Sequence, residues 1–296
     1  MKTWIRRTAI GAALLVAGAG AAFVVAAQLG ERKLDRRIDV AVAPVAYQDG
    51  AAVVERGRYL FASRGCADCH GADGAGRVVI DDGKGMRIRA PNIAGGAPTV
   101  ASYQPVDWVR VLRHGVKPNG RAVMVMPSED WNRLTDADVA AIVAYTRQLP
   151  PAQGGAAEIS LPMPLKAFYA LGLLRDAAEK IDHSLPPAQP VAEGVTAEHG
   201  AYVANGCIGC HGAQLMGGKI PGTPPDWPPA ARLRPGEGNA MARYATAESF
   251  AVMLKTGKRP DGSAVSPVMP FAALGAMSDV DVRALYLHLR ALPERP

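Results

Sequence analysis

The four cysteines constrain this chain of 296 residues more than any other feature. They form two copies of one pattern, Cys66-Ala-Asp-Cys69-His70 and Cys207-Ile-Gly-Cys210-His211, leaving none for a disulfide, a zinc site or a lipid anchor. C-x-x-C-H is the attachment signature of c-type haem. Two thiols add to the vinyl groups of the porphyrin, and the histidine that follows is held against the iron. A lone C-x-x-C would suit a redox dithiol or half a zinc site; the adjacent histidine and the second copy select haem. Two tethered haems would also supply apolar bulk to a chain in which aromatics make up only 6%.

The motifs sit inside a longer repeat, the second copy starting 141 residues after the first. Before each lies a short apolar stretch that reads as a helix: Val54-Glu55-Arg56-Gly57-Arg58-Tyr59-Leu60, and Glu198-His199-Gly200-Ala201-Tyr202-Val203. Both contain Gly-x-Tyr. After each come similar loops, Lys117-Pro118-Asn119-Gly120 and Arg259-Pro260-Asp261-Gly262, then Val125-Met126-Pro127 and Val268-Met269-Pro270. The methionine follows the first cysteine by 60 residues in one copy and 62 in the other. Each copy closes with a predicted helix. Thr135 and Ser278 read as N-caps, with Asp138 and Asp281 in the Glu/Gln position of a capping box. An apolar face runs through Val139, Ile142 and Val143, or through Val282 and Leu285, and both helices stop at Leu-Pro, 149–150 and 292–293. Between the copies, Pro164 to Ile181 reads as one amphipathic helix within a Pro/Ala/Gly-rich linker. The domain expectation is therefore an anchor or signal segment over 1–30, a linker over 31–48, domains over 49–152 and 191–296, and a linker with a helix over 153–190.

His70 and His211 are expected to ligate one face of each iron, and Met126 and Met269 the other. The cofactor-binding set is then Cys66, Cys69, His70 and Met126 in the first copy, and Cys207, Cys210, His211 and Met269 in the second. Met/His ligation raises the potential and suits electron transfer, and a filled sixth position keeps oxygen and peroxide off the iron. An isolated methionine is more often core filler; the matched position in both copies argues for a ligand. Met124 competes with Met126, and Met216 and Met277 are weaker alternatives in the second copy. His114, His183, His199 and His288 read as surface or helix residues. No catalytic residue is expected. A dihaem peroxidase is the alternative; it needs one open iron, which a Met-Pro in both copies argues against. A gas or redox sensor would need an output module, and none is visible after the second copy.

From Thr8 to Gly30 the chain has 23 residues without a charge. A secretory h-region takes about 7–15 residues and a spanning helix about 20. The length favours a retained anchor; a signal peptide cleaved near Ala26-Ala27-Gln28 is the competing reading. Lys2, Arg6 and Arg7 would keep the amino end inside and send the rest outward, against the partly opposing cluster Arg32, Lys33, Arg36 and Arg37. The expected location is the inner (cytoplasmic) membrane, single-pass, with the rest on the periplasmic side. The net charge of +6 is mild, and no basic run with interleaved aromatics points to nucleic acid.

Both halves resemble class I cytochrome c domains: helix, C-x-x-C-H, loops, Met-Pro, closing helix. The resemblance implies an all-α fold in which the first and last helices of each domain cross beside the haem. Gly57 and Gly200 would mark that crossing, with Tyr145 on the partner helix and His288 in its place in the second copy. Ala90-Pro91-Asn92-Ile93 resembles the family's proline segment beside the histidine ligand; prolines 224, 225, 228 and 229 leave the second copy unassigned. More narrowly, Arg58-Tyr59-Leu60, Pro91-Asn92-Ile93 and the Pro-rich linker are similar to membrane-bound cytochrome subunits of bacterial periplasmic dehydrogenases. Many of those carry three haems, whereas this chain has two motifs. The resemblance implies electron transfer between a dehydrogenase or quinol-oxidising complex and an oxidase or another cytochrome, with two covalently bound haems c.

Overall fold

The structure is a computed structural model that describes residues 2–220, 223 and 226–295. It opens with α1 (Lys2–Leu34), whose uncharged stretch holds no proline and is exposed from residue 8 to residue 25. α1 is long and apolar enough to cross a membrane, and its apolar window is entirely exposed.

The first half follows with α2 (Ala51–Ser63), α3 (Cys66–His70), β1 (Val78–Asp81), β2 (Arg87–Arg89), α4 (Pro105–His114), α5 (Ser128–Trp131) and α6 (Asp136–Gln148). The connecting segment holds β3 (Glu158–Ser160), α7 (Met163–Ala170) and a 3₁₀ turn, Ala178–Lys180. The second half has α8 (Ala197–Ala204), α9 (Ile208–His211), α10 (Ala247–Thr256), α11 (Phe271–Gly275) and α12 (Asp279–Ala291). The fold is mostly helical, as expected.

Two details depart from the expectation. A small antiparallel sheet, ordered β1-β2-β3, ties the connecting segment to the first half, with Arg87 and Arg89 both pairing to Glu158 at 3.1 Å. The connecting helix is also shorter than Pro164 to Ile181. It ends at Ala170 because Gly172 turns the chain at φ +73°, where Leu173 N–H bonds the Phe168 carbonyl at 2.9 Å. Neither linker hangs free. Val40 packs with Val116 and Ala178, and Leu161 and Tyr169 pack with Met124.

In each half the first and last helices cross at a glycine. A Cβ on Gly57 would run into the Ala141 carbonyl and come within 2.7 Å of Tyr145 Cβ; on Gly200 it would meet the Ala284 carbonyl and lie 2.7 Å from His288 Cβ. Only glycine lets the backbones approach so closely. Leu60, Trp108, Leu112, Val139 and Ile142 form the core behind the first crossing; Met241, Phe250, Leu254, Val282 and Leu289 form that behind the second.

The two halves dock reciprocally. Tyr59, on α2, bonds Asp281 Oδ2 of α12 at 2.6 Å, and Tyr202, on α8, bonds Asp138 Oδ2 of α6 at 2.6 Å. Each tyrosine oxygen also accepts from the backbone N–H of the other half's cap residue, Ser278 at 3.1 Å and Thr135 at 3.3 Å. The cap side chains behave as predicted, accepting from the N–H groups of Asp138 and Asp281. The second arm of each box does not close directly. A tyrosine from the opposite half stands between cap N–H and carboxylate, so each closing helix is capped across the interface.

Candidate functional site

Each C-x-x-C-H motif lies on a short helical turn that a glycine ends. Gly71 (φ +78°) and Gly212 (φ +76°) follow the two histidines, and their N–H groups bond Ala67 and Ile208 at 2.9 and 2.8 Å. The chain then folds back, Gly76 N–H bonding the His70 carbonyl at 2.7 Å and Gly217 N–H the His211 carbonyl at 2.8 Å.

This return brings a backbone carbonyl to each imidazole. His70 Nδ1 lies 2.9 Å from the Pro91 carbonyl, and His211 Nδ1 lies 2.7 Å from the Ala231 carbonyl. A carbonyl can only accept, so Nδ1 carries the proton and Nε2 keeps its lone pair. Burial lowers the pKa of both rings, the carbonyl bond opposing it, which favours the neutral form that binds metal. Pro91 falls in the segment singled out by sequence. Ala231 carries no such signal, since it follows a proline-rich stretch in which several residues resemble the family segment equally; Pro224 and Pro225 lie outside the described residues.

All four cysteines are unpaired by disulfides. Burial pushes the Cys66 and Cys207 thiols up to about 12, and those of Cys69 and Cys210 upward as well. These are not the activated thiolates of a redox dithiol. No group of three or more His, Cys, Asp or Glu suited to hold a metal ion occurs among the described residues. The donor set fits haem c: two thiols for thioether links, one oriented imidazole, and apolar side chains around them. Phe61, Ala94, Leu149 and Tyr145 pack with Cys66, and Cys207 and Ile208 pack on the second core.

The two Met-Pro segments share one backbone shape. Pro127 (φ −80°, ψ 63°) and Pro270 (φ −79°, ψ 71°) are inverse γ-turns, closed by Ser128 N–H to the Met126 carbonyl at 2.8 Å and Phe271 N–H to the Met269 carbonyl at 2.9 Å. Met126 packs on the core of the first half and Met269 on that of the second. Met124 turns elsewhere, buried against Leu161 and Tyr169 beside the connecting segment. Met277 is 6% exposed within the second core.

The helix after each Met-Pro packs on the haem motif of the opposite half, α5 on α9 and α11 on α3. Asp130 Oδ1 accepts from Gly209 N–H, inside the second motif, at 2.6 Å. Burial pushes the Asp130 carboxyl up to about 7. Arg64 spans the same interface, bonding Asp281 Oδ2 at 2.9 Å with 8% of its side chain exposed against 0% for the aspartate. Both motifs thus face one shared, well-packed interface.

Residues 54–150 and 197–293 each match the sequence model of the family described as Cytochrome c. The fructose dehydrogenase cytochrome subunit of Gluconobacter japonicus is 27% identical over 82% of this chain and 53% of its own length. The alcohol dehydrogenase (quinone) cytochrome c subunit of Gluconobacter oxydans is 25% identical over 83% and 56%. The gluconate 2-dehydrogenase cytochrome c subunit of Pantoea cypripedii is 29% identical over 55% and 39%. The chain spans about half the length of the first two relatives.

Proposed function

The chain belongs to the cytochrome c family in both of its halves and carries two covalently bound haems c, and from that premise we propose that it is a membrane-anchored electron-transfer subunit of a periplasmic dehydrogenase or respiratory complex. Bound haem iron supplies one-electron chemistry. The protein's part is to tether, orient and seal. The cysteines fix each ring to the chain. His70 and His211 present Nε2, held by the Pro91 and Ala231 carbonyls. Met126 and Met269 would each supply a second ligand to the iron, a role supported by their closely similar inverse γ-turns and by the placement of Met124 against the connecting segment.

The observation that carries this reading is the shared interface. Two oriented imidazole motifs face each other's α5 and α11, which suits a relay between two sites. The cytochrome halves span 49–152 and 191–296. α1 anchors them to the inner membrane, with Lys2, Arg6 and Arg7 inside. The named relatives are cytochrome subunits of dehydrogenases acting on fructose, alcohol and gluconate, which supports a dehydrogenase as donor. The test is to purify the chain from native membrane with its companions and titrate it. Two haems per chain, two one-electron potentials and a co-purifying dehydrogenase are expected. Fewer than two tethered haems, or strong carbon monoxide binding by the reduced protein, would sink the proposal.

A further inference from the structure

α1 does not leave the apolar stretch alone. Twenty residues from Thr8 reach Ala27, which at 1.5 Å per residue is about the 30 Å of a hydrocarbon layer. At that point α7 is clamped against it. Ala27 and Gly30 are buried, and a Cβ on Gly30 would run into the Lys166 carbonyl. Lys166 pairs with Glu31. Lys33 Nζ donates to the Tyr169 carbonyl at 2.8 Å and lies 4.3 Å from its ring centre. Arg36 pairs with the buried Asp176 at 2.6 Å. α7 is therefore fixed to the end of α1 and shares its height.

The polar side of this unit is satisfied within the protein, and its apolar side faces out. Met163, Phe168, Leu171 and Leu173 are 47, 45, 66 and 63% exposed. Beyond α1, Leu171 and Leu173 are the most exposed large apolar side chains among the described residues. Exposed Arg175 follows Leu173 by two residues, and exposed Arg32 sits on α1 next to Glu31, the partner of Lys166 on α7. An apolar face with exposed cations close by in the chain, held where a spanning helix emerges, matches an interfacial segment on an anionic bilayer.

We propose that Met163 to Leu173 is a second membrane contact, seated at the headgroup–acyl boundary of the outer leaflet, that holds the first cytochrome half at a fixed attitude to the bilayer. The proposal rests on α1 spanning that bilayer. With the native cysteines taken up by haem, an introduced cysteine is the only free thiol. The full haem-loaded chain carrying Leu171→Cys, Leu173→Cys, Leu15→Cys or Val252→Cys, labelled with an environment-sensitive fluorophore, is reconstituted into phosphatidylcholine–phosphatidylglycerol vesicles. Emission is compared with and without lipids bearing nitroxides at shallow or deep positions. Labels at 171 and 173 should be dimmed severalfold more by shallow than by deep nitroxides, that at 15 most by deep ones, and that at 252 by neither. Labels at 171 and 173 behaving like 252 beside a quenched 15 would overturn the contact and leave the face to a protein partner. An unquenched 15 would overturn the spanning helix, and this contact with it.

Discussion

Replacing Asp281 by asparagine tests how the two halves are held. The carboxylate is fully buried and accepts from Tyr59 at 2.6 Å, Arg64 at 2.9 Å and His199 at 2.7 Å. Asparagine keeps the volume but offers one acceptor oxygen and turns the other position into a donor. It leaves the nearly buried Arg64 without its counter-charge. Removing one partner from a buried pair costs about 3–5 kcal/mol. Asp138→Asn, at the matching place in the first half, is the internal control. Its partner Arg56 is 27% exposed and has Glu193 at 3.3 Å as a second acid. The loss there is that of charge-assisted hydrogen bonds, about 1.5–3 kcal/mol. Asp281→Asn should therefore be the costlier change by ~2 kcal/mol. Denaturant unfolding of the haem-loaded protein reads this, with Trp108 and Trp131 reporting the first half and haem absorbance both. Because Tyr59 and Arg64 belong to the first half, the variant should also split one cooperative transition into two, and Tyr59→Phe should be non-additive with it by about 0.5–3 kcal/mol. The same group gives a pH signature. Burial raises the Asp281 pKa, but Arg64, with bonds from Tyr59 and His199, holds it below the ordinary carboxylate value. Its contribution is present at neutral pH and fades as pH falls through the acid range, a slope the asparagine variant should lack. A loss under ~1 kcal/mol, the size of an exposed pair, or one no larger than that of Asp138→Asn, would refute the reasoning.

Gly57→Ala or Gly200→Ala forces a methyl into a neighbouring backbone carbonyl; overpacking should outweigh the helix-propensity gain for a net cost of ~1–3 kcal/mol, seen as a lower melting temperature of the haem signal. Met269→Ala should lower the potential of one haem only, remove its methionine–iron absorption band and admit carbon monoxide there, while Met124→Leu should leave both haems unchanged; a shift in both haems from Met269→Ala would count against the ligand assignment. Asp130, raised to about 7, keeps a proton in the folded state that the unfolded chain releases near pH 4. Stability should therefore fall as pH rises between those values, and Asp130→Asn should remove the slope and be the more stable protein at pH 8 by up to about 4 kcal/mol. Equal pH profiles for variant and parent would show that Asp130 is not held protonated.

Much of this was legible in the chain. The two C-x-x-C-H turns, the Met-Pro pairs, the paired Gly-x-Tyr and the caps at Thr135 and Ser278 are local or repeated signals, and repetition makes a weak signal specific; the crossings at Gly57 and Gly200 come from the family resemblance. What was not legible is what joins distant segments. Nothing in the spacing of Tyr59 or Tyr202 says that the hydroxyl serves a helix in the other half, since apolar periodicity reports a face and not the domain that covers it. The pattern of Thr135 with Asp138 predicts a direct box; the interposed tyrosine shows only in three dimensions. The carbonyl beside His211 comes from Ala231 through a loop whose residue types carry no information on direction. The helix expected from 164 to 181 stops short because Gly172 turns the chain, a stop a window average smooths over.

The interface is symmetric in its contacts but not in its chemistry, and the asymmetry follows a rule. Tyr59, Gly57, Arg56 and Asp138 in the first half correspond to Tyr202, Gly200, His199 and Asp281 in the second, each 143 residues on. Arg56 meets Asp138 within the first half, whereas buried His199 meets Asp281 in the second and Arg64 reaches the same carboxylate from across the interface. The motifs show the same exchange. In the second, Gly209 receives the carboxylate of Asp130 from the opposite half; in the first, the motif carries its own acid, Asp68, and Ala273 packs nearby where the second acid would come. A Cβ on Gly209 would sit 2.9 Å from both Asp130 oxygens, so a side chain in the motif requires the acid across from it to move. Each docked pair therefore holds one carboxyl group at this place rather than two. Gly209→Asp should disrupt the interface where Asp130 remains and be tolerated far better with Asp130→Ala beside it, because the double change copies the arrangement that already works at Asp68 and Ala273.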